Sequence, residues 1–123
     1  MNVVDSSGWL EYFAGGKLAS KYAPYIDRSS EVLVPSLVLY EVYRWIKRHR
    51  GEEEALKYTA RMASAKVIPL DDSIALYAAD LSLDYQLALA DSIVYATALS
   101  HRVKLITSDR DFKGLPQVVY FQK

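Results

Sequence analysis

Short runs of consecutive apolar residues alternate along the chain with longer stretches whose apolar positions recur every three or four residues. Residues 2–5 (NVVD) form the first run, an apolar strand closed by a carboxylate. Ser6 and Ser7 then offer caps for a helix carrying Trp9, Leu10, Tyr12 and Phe13, which Gly15-Gly16 ends. A second helical piece spans 17–27. Residues 32–34 (VLV) read as a buried strand closed by Pro35, with Ser36 placed to cap a helix over 37–50. Gly51 breaks that helix, and Glu52, Glu53 and Glu54 suit the electropositive first turn of another, ending near Ser64. KVIPL at 66–70 predicts a third strand, and Asp71 or Asp72 caps a helix reaching Leu83. A last helix covers 90–101, and KLIT at 104–107 and QVVYF at 117–121 predict the fourth and fifth strands.

Strands this short, separated by helices, predict an α/β fold: three α/β/α layers around a mostly parallel sheet of four to five short strands. Right-handed crossovers place the carboxyl ends of the strands along one edge of that sheet. There is no repeat, low-complexity tract or linker, so one domain is expected over residues 1–123.

A chain of 123 residues, 51% hydrophobic and 24% charged, has the composition of a folded domain. The absence of cysteine removes disulfide staples, thiolate zinc sites and thiol nucleophiles. No basic segment precedes the apolar start and Asp5 interrupts it, so no signal peptide is read. No apolar stretch approaches the roughly 20 residues of a membrane span, and a cytoplasmic protein without a membrane partner is expected. Fifteen Lys and Arg balance fifteen Asp and Glu. Neutrality counts against a nucleic-acid partner only if the charges are evenly spread.

The carboxylates are not evenly spread. Asp5 closes the first strand, and Asp109 follows the fourth just after Thr107-Ser108. Asp91 stands at the head of the apolar helix SIVYATAL, and Glu41 lies early in the helix after the second strand. Asp111 can add a fifth charge. Each has an ordinary structural alternative: Asp5 and Asp91 as helix caps, Asp109 as a turn former, Glu41 as a surface partner of Arg44 or Lys47. Converging at one sheet edge, they are tolerable around a divalent cation. Oxygen-only ligation, with His49 and His101 elsewhere in the layout, favours Mg²⁺ or Mn²⁺ over zinc. Such ions activate water and neutralise charge at phosphorus, and the chemistry implied is phosphodiester hydrolysis.

Four stretches carry a family resemblance: VVDSSGWLEYF at 3–13, LYEVYR at 39–44, LADSIVYATAL at 89–99 and TSDRDF at 107–112. With these in this order, the chain resembles PIN-domain ribonucleases, specifically the VapC-type toxins of prokaryotic toxin–antitoxin pairs. The resemblance implies a PIN-like fold and an endoribonuclease, a hydrolase dependent on Mg²⁺ or Mn²⁺ that cleaves tRNA or ribosomal RNA. It places the catalytic set on Asp5, Glu41, Asp91 and Asp109. Asp5, Asp91 and Asp109 then hold metal, with Asp111, Ser6 and Thr107 as auxiliaries. A 5′-phosphate product follows. It also implies a homodimer, and a cognate antitoxin that wraps and inhibits it in a heterotetramer or larger assembly.

Arg44, Lys47 and Arg48 share one helical face beyond Glu41 and are candidates to guide an RNA backbone, or a solvated helix end suited to the dipole. Arg102, Lys104, Arg110 and Lys113 supply a second basic patch, with Arg110 nearest the acids. Trp9, Tyr12, Phe13, Tyr22 and Tyr25 read mostly as core, and otherwise as a groove for an antitoxin helix that Tyr43 and Trp45 extend. Tyr77, Tyr85 and Tyr95 read as core or dimer contacts. Two rivals remain, a non-catalytic α/β binding module and a receiver-like phospho-acceptor domain. The latter lacks the acidic pair at the first strand, and Lys104 precedes its strand instead of following it.

Overall fold

The computed structural model describes residues 1–123. Five strands form one parallel sheet: β1 (Asn2–Val4), β2 (Val32–Pro35), β3 (Lys66–Ile68), β4 (Lys104–Thr107) and β5 (Val118–Tyr120), ordered β3-β2-β1-β4-β5. The helices are α1 (Ser6–Ala14), α2 (Ala19–Ile26), α3 (Ser36–Arg50), α4 (Glu52–Ala63), α5 (Asp72–Tyr85) and α6 (Leu89–Ser100). Short 3₁₀ turns occupy Ser29–Glu31 and Arg110–Phe112.

The central strands are continuous apolar runs because both of their faces are covered. Every residue of β2 is buried, as are Val3 and Val4 of β1 and Leu105 to Thr107 of β4. α1 packs on α2 and α3, α3 on α4, and α5 on α6. Right-handed crossovers put the β1–β2 and β2–β3 connections on one face and the return from β3 to β4 on the other. The strand order therefore reverses between β1 and β4, and that switch point opens a crevice at their carboxyl ends. The expected α/β/α layering is observed, with five strands, all parallel.

One apolar core of 27 buried residues runs through the layers, with Trp9, Tyr22, Tyr95 and Phe112 its largest members. Each such side chain contributes roughly 1.5–3 kcal/mol by leaving water. The tyrosines divide accordingly: Tyr22 and Tyr95 are core, whereas Tyr77 and Tyr85 remain more than a third exposed. No helix is long and apolar enough to cross a membrane.

Local chemistry shifts several boundaries from the sequence expectation. β1 ends at Val4, and Asp5 itself caps α1, so Ser6 and Ser7 are helical residues and not caps. Ser36 does not cap α3 either; its Oγ accepts the Leu70 N–H at 3.3 Å, tying the start of α3 to the segment after β3. β3 stops before Pro69, which has no N–H to offer a ladder. Asp71 is the α5 cap, accepting from the Ile74 N–H at 2.8 Å.

Candidate metal centre

Asp5 leaves β1 at the switch point and turns the chain into α1. Its Oδ1 accepts the Gly8 N–H at 2.9 Å and the Ser7 hydroxyl at 3.2 Å. Its Oδ2 accepts a short hydrogen bond from the Thr107 hydroxyl at the end of β4. Gly8 permits this fit, since a Cβ there would lie 2.6 Å from Val4 Cγ1 and 2.7 Å from Tyr22 Cε1. Asp5 is only 8% exposed. Burial pushes its pKa up and the Asp109 charge adds to that, while the bonds from Thr107, Gly8 and Ser7 oppose both. Capping and a place in the acidic group are thus one geometry: the side chain that starts α1 also faces β4.

Thr107 is fully buried and works in two directions. Its hydroxyl donates to Asp5 and accepts the Asp109 N–H at 2.9 Å, joining the ends of β1 and β4 through one oxygen. Asp109 caps the following turn, with Oδ1 accepting the Asp111 N–H at 2.9 Å. The turn-former reading of Asp109 is therefore correct as geometry, and the turn is what brings Asp111 beside it. Asp91 enters from the other layer, in the first turn of α6. Ala88 is the N-cap of that helix and no side chain caps it, so the Asp91 carboxylate is not spent on capping.

Carboxylate oxygens of Asp91, Asp109 and Asp111 all lie within 4.8 Å of one another. Asp91 and Asp109 of the expected metal set are in this trio, and Asp111, expected as an auxiliary, joins them. Asp5 is held by three hydrogen bonds. The Asp91 carboxyl is pushed up to about 6, first by burial and then by the charges of Asp109, Asp111, Asp5 and Glu41. The α6 N-terminus favours an anion at Asp91, yet burial and then the four neighbouring carboxylates outweigh it. Glu41, half-buried on α3, is also raised by burial and by Asp5, with the Ser6 hydroxyl acting the other way. Glu41 makes no ion pair with Arg44 or Lys47. The two ion pairs of the chain are Arg28–Glu31 and Lys47–Glu52, neither at this site. Five acids therefore gather with none of them in an ion pair. An all-oxygen set of hard donors this close together could hold a metal ion.

The basic residues separate into groups. Arg44 shares a cavity with Ser6, Glu41, Tyr40 and Trp45. Lys47 and Arg48 lie farther along α3, beside Tyr43, where Lys47 is engaged by Glu52 at 3.5 Å. The expected patch of Arg102, Lys104, Arg110 and Lys113 is split, because Lys104 opens β4 at the end opposite Asp109. His49 and His101 each bond a backbone carbonyl one helical turn back, away from the acids. Sequence reasoning missed Ser7 and Gly8 as holders of Asp5. The signal was present in the Asp-x-x-Gly spacing, which puts an N3 amide over an N-cap carboxylate.

A model of the PIN domain matches residues 3–117. The chain belongs to the PIN-domain family. This PIN domain superposes on a toxin–antitoxin complex component from Klebsiella pneumoniae with a TM-score of 0.83 and 26% identity, covering 97% of this chain and 96% of that one. It is also similar to Mycobacterium tuberculosis VapC20, described as a sarcin-ricin loop cleaving toxin, with a TM-score of 0.76, 17% identity and full coverage of both chains. A third likeness is to DNA-bound VapBC from Salmonella typhimurium, with a TM-score of 0.73, 13% identity and coverage of 98% and 96%. These last two likenesses concern the fold. No curated protein sequence matches the chain.

Proposed function

We propose that this PIN domain, acting as one unit over residues 1–123, is a divalent-metal-dependent endoribonuclease and the toxin of a toxin–antitoxin pair. The observation that carries the reading is the convergence of Asp91, Asp109 and Asp111 within 4.8 Å, near Asp5 and Glu41, with none of the five in an ion pair. Structural elements rarely gather carboxylates in this way without a proton or a metal to offset the repulsion.

Asp91, Asp109 and Asp111 would hold Mg²⁺ or Mn²⁺, which supplies charge neutralisation at phosphorus and a more acidic water. Asp5 is the positioning carboxylate: the bonds from Thr107, Ser7 and Gly8 lock its rotamer and so set the separation of β1 from the Asp109 turn. Glu41, half-buried and with its pKa raised, is the carboxylate suited to take a proton from the attacking water. Breaking the P–O3′ bond then leaves a 5′-phosphate and a 3′-hydroxyl.

The partner proposals rest on two surfaces. Leu10, Phe13, Trp45, Ile46 and Tyr58 line an apolar groove between α1, α3 and α4, with Arg50 and Glu54 at its margin, which suits an amphipathic antitoxin helix. The resemblance to a component of a toxin–antitoxin complex supports that partner. Leu76 and Leu83, two turns apart on α5 and each more than 70% exposed, favour contact with a second copy.

The test is digestion of total cellular RNA with Mg²⁺ and with EDTA, wild type beside Asp109→Asn, with fragment ends sequenced. Discrete 5′-phosphate ends that need both Mg²⁺ and Asp109 are expected. Equal fragmentation by the variant would sink the site assignment.

A further inference from the structure

At the ends of β4 and β5, with Asp109 in its wall and Glu41 outside its lining, lies a cavity of about 610 Å³. Arg110, Lys113 and Lys123 line it together with Asp109, Ser7 and Tyr120. Three side-chain cations thus face one side-chain carboxylate, a local positive excess of side-chain charge in a chain of zero net charge. None of the three is in an ion pair, since the pairs of this chain are Arg28–Glu31 and Lys47–Glu52. Their charge is free for an external anion.

The register places the cavity against the acidic site. Tyr120 pairs with Thr107 across β4 and β5, and the Phe121 N–H donates to the Thr107 carbonyl at 2.8 Å. Thr107 in turn holds Asp5 and Asp109. Tyr120 therefore stands one strand spacing, about 4.8 Å, from the residue that joins the two carboxylates. The Lys113 ammonium lies 5.6 Å from the centre of the Tyr120 ring, which brings a charge and an aromatic face to one spot. Tyr120 is the one hydrophobic member of the eight-residue lining, so an apolar helix gains little here. Free phosphate would use the cations and leave the ring idle. A nucleotide in a strand uses both, with phosphates on the lysines and a base stacked on the tyrosine.

We propose that this cavity is a single-stranded RNA subsite, seating a nucleotide next to the bond that is cleaved. Lys113, Lys123 and Arg110 bind its phosphates and Tyr120 its base. The proposal rests on the nuclease reading above and adds the direction in which the strand leaves the acidic site.

The experiment measures binding of a fluorescein-labelled, mixed-sequence 12-nucleotide RNA by anisotropy in EDTA across a salt series. Wild type is compared with Lys113→Ala/Lys123→Ala, Tyr120→Leu, Tyr120→Phe and, as a control, Arg28→Ala. Each lost phosphate contact lowers the salt slope by about 0.7, so the double variant is expected to fall by about 1.4. Tyr120→Leu should weaken binding by about tenfold, the scale of one lost base stack, while Tyr120→Phe keeps wild-type affinity. Arg28→Ala should change nothing, and thermal melts should show all variants folded. Wild-type slope and affinity in both the double-lysine variant and Tyr120→Leu, beside intact Mg²⁺-dependent cleavage by wild type, would overturn the subsite alone. Failure of wild type to cleave RNA in Mg²⁺ would remove the nuclease reading, and with it the subsite's part in cleavage.

Discussion

Replacing Asp91 by asparagine should make the metal-free protein more stable while it destroys metal-dependent activity. Asp91 carries the clearest cost of the acidic group: its carboxyl moves from 3.8 to about 6 through burial and the charges of four acids. Two charges 4.8 Å apart repel by about 3.5 kcal/mol at an effective dielectric near 20. Asp91 is only half-buried, so solvent screening leaves on the order of 1–2 kcal/mol to be recovered by neutralising it. The sign follows from linkage. A carboxyl whose folded pKa is raised weakens the native state once it ionises, so the penalty is absent below about pH 4 and complete above about pH 6. In EDTA, Asp91→Asn should therefore match wild type at pH 4 and melt roughly 3–8 °C higher at pH 7.5. Saturating Mg²⁺ reverses the order. Metal at a hundred times its dissociation constant stabilises wild type by about 2.7 kcal/mol, and the variant by much less. Scanning calorimetry at both pH values, with and without Mg²⁺, reads all four quantities. A variant less stable than wild type at pH 7.5 in EDTA, or one that gains as much from Mg²⁺, would refute a cation site at these carboxylates.

Other substitutions probe the supports of the site. Thr107→Val removes the donor to Asp5 and the acceptor of the Asp109 N–H without changing side-chain shape, and should cost about 2–4 kcal/mol in urea denaturation and at least tenfold in cleavage rate; Thr107→Ser should recover most of both. Gly8→Ala forces a Cβ to 2.6 Å from Val4 Cγ1, so a loss of about 1–3 kcal/mol is expected, with refolding yield and melting temperature as the readout. The Tyr22 hydroxyl is buried with no hydrogen-bond partner, so Tyr22→Phe should be neutral or stabilise by up to about 1 kcal/mol; a clear loss in chemical denaturation would show that Ser108 beside it is a real partner.

Local patterning revealed the α/β alternation, the strand cores and the helix faces, because burial on two faces or one stripe leaves its period in the chain itself. VVD, LAD and TSD marked where carboxylates follow apolar runs, and a parallel sheet turns that regularity into a shared edge. Caps were less legible. Ser6, Ser7 and Ser36 have the right chemistry, but Asp5 captures the Gly8 amide first and Ser36 is drawn to Leu70, a contact made 34 residues away.

What the chain determined by itself was which residue types stand at the ends of which strands. Tertiary structure alone decided which of them meet. Asp111 joins Asp91 and Asp109 because a 3₁₀ turn after β4 swings it toward a helix from the opposite layer. Asp5 is tied to the end of β4 because Thr107, 102 residues away, reaches its second oxygen. The basic residues obey the same rule: Lys104 points away from the site, while Lys123 comes back to it through the pairing of β5 with β4. Periodicity is a property of neighbours along the chain, whereas a charge cluster is a property of distance. Only the crossovers between strands convert one into the other.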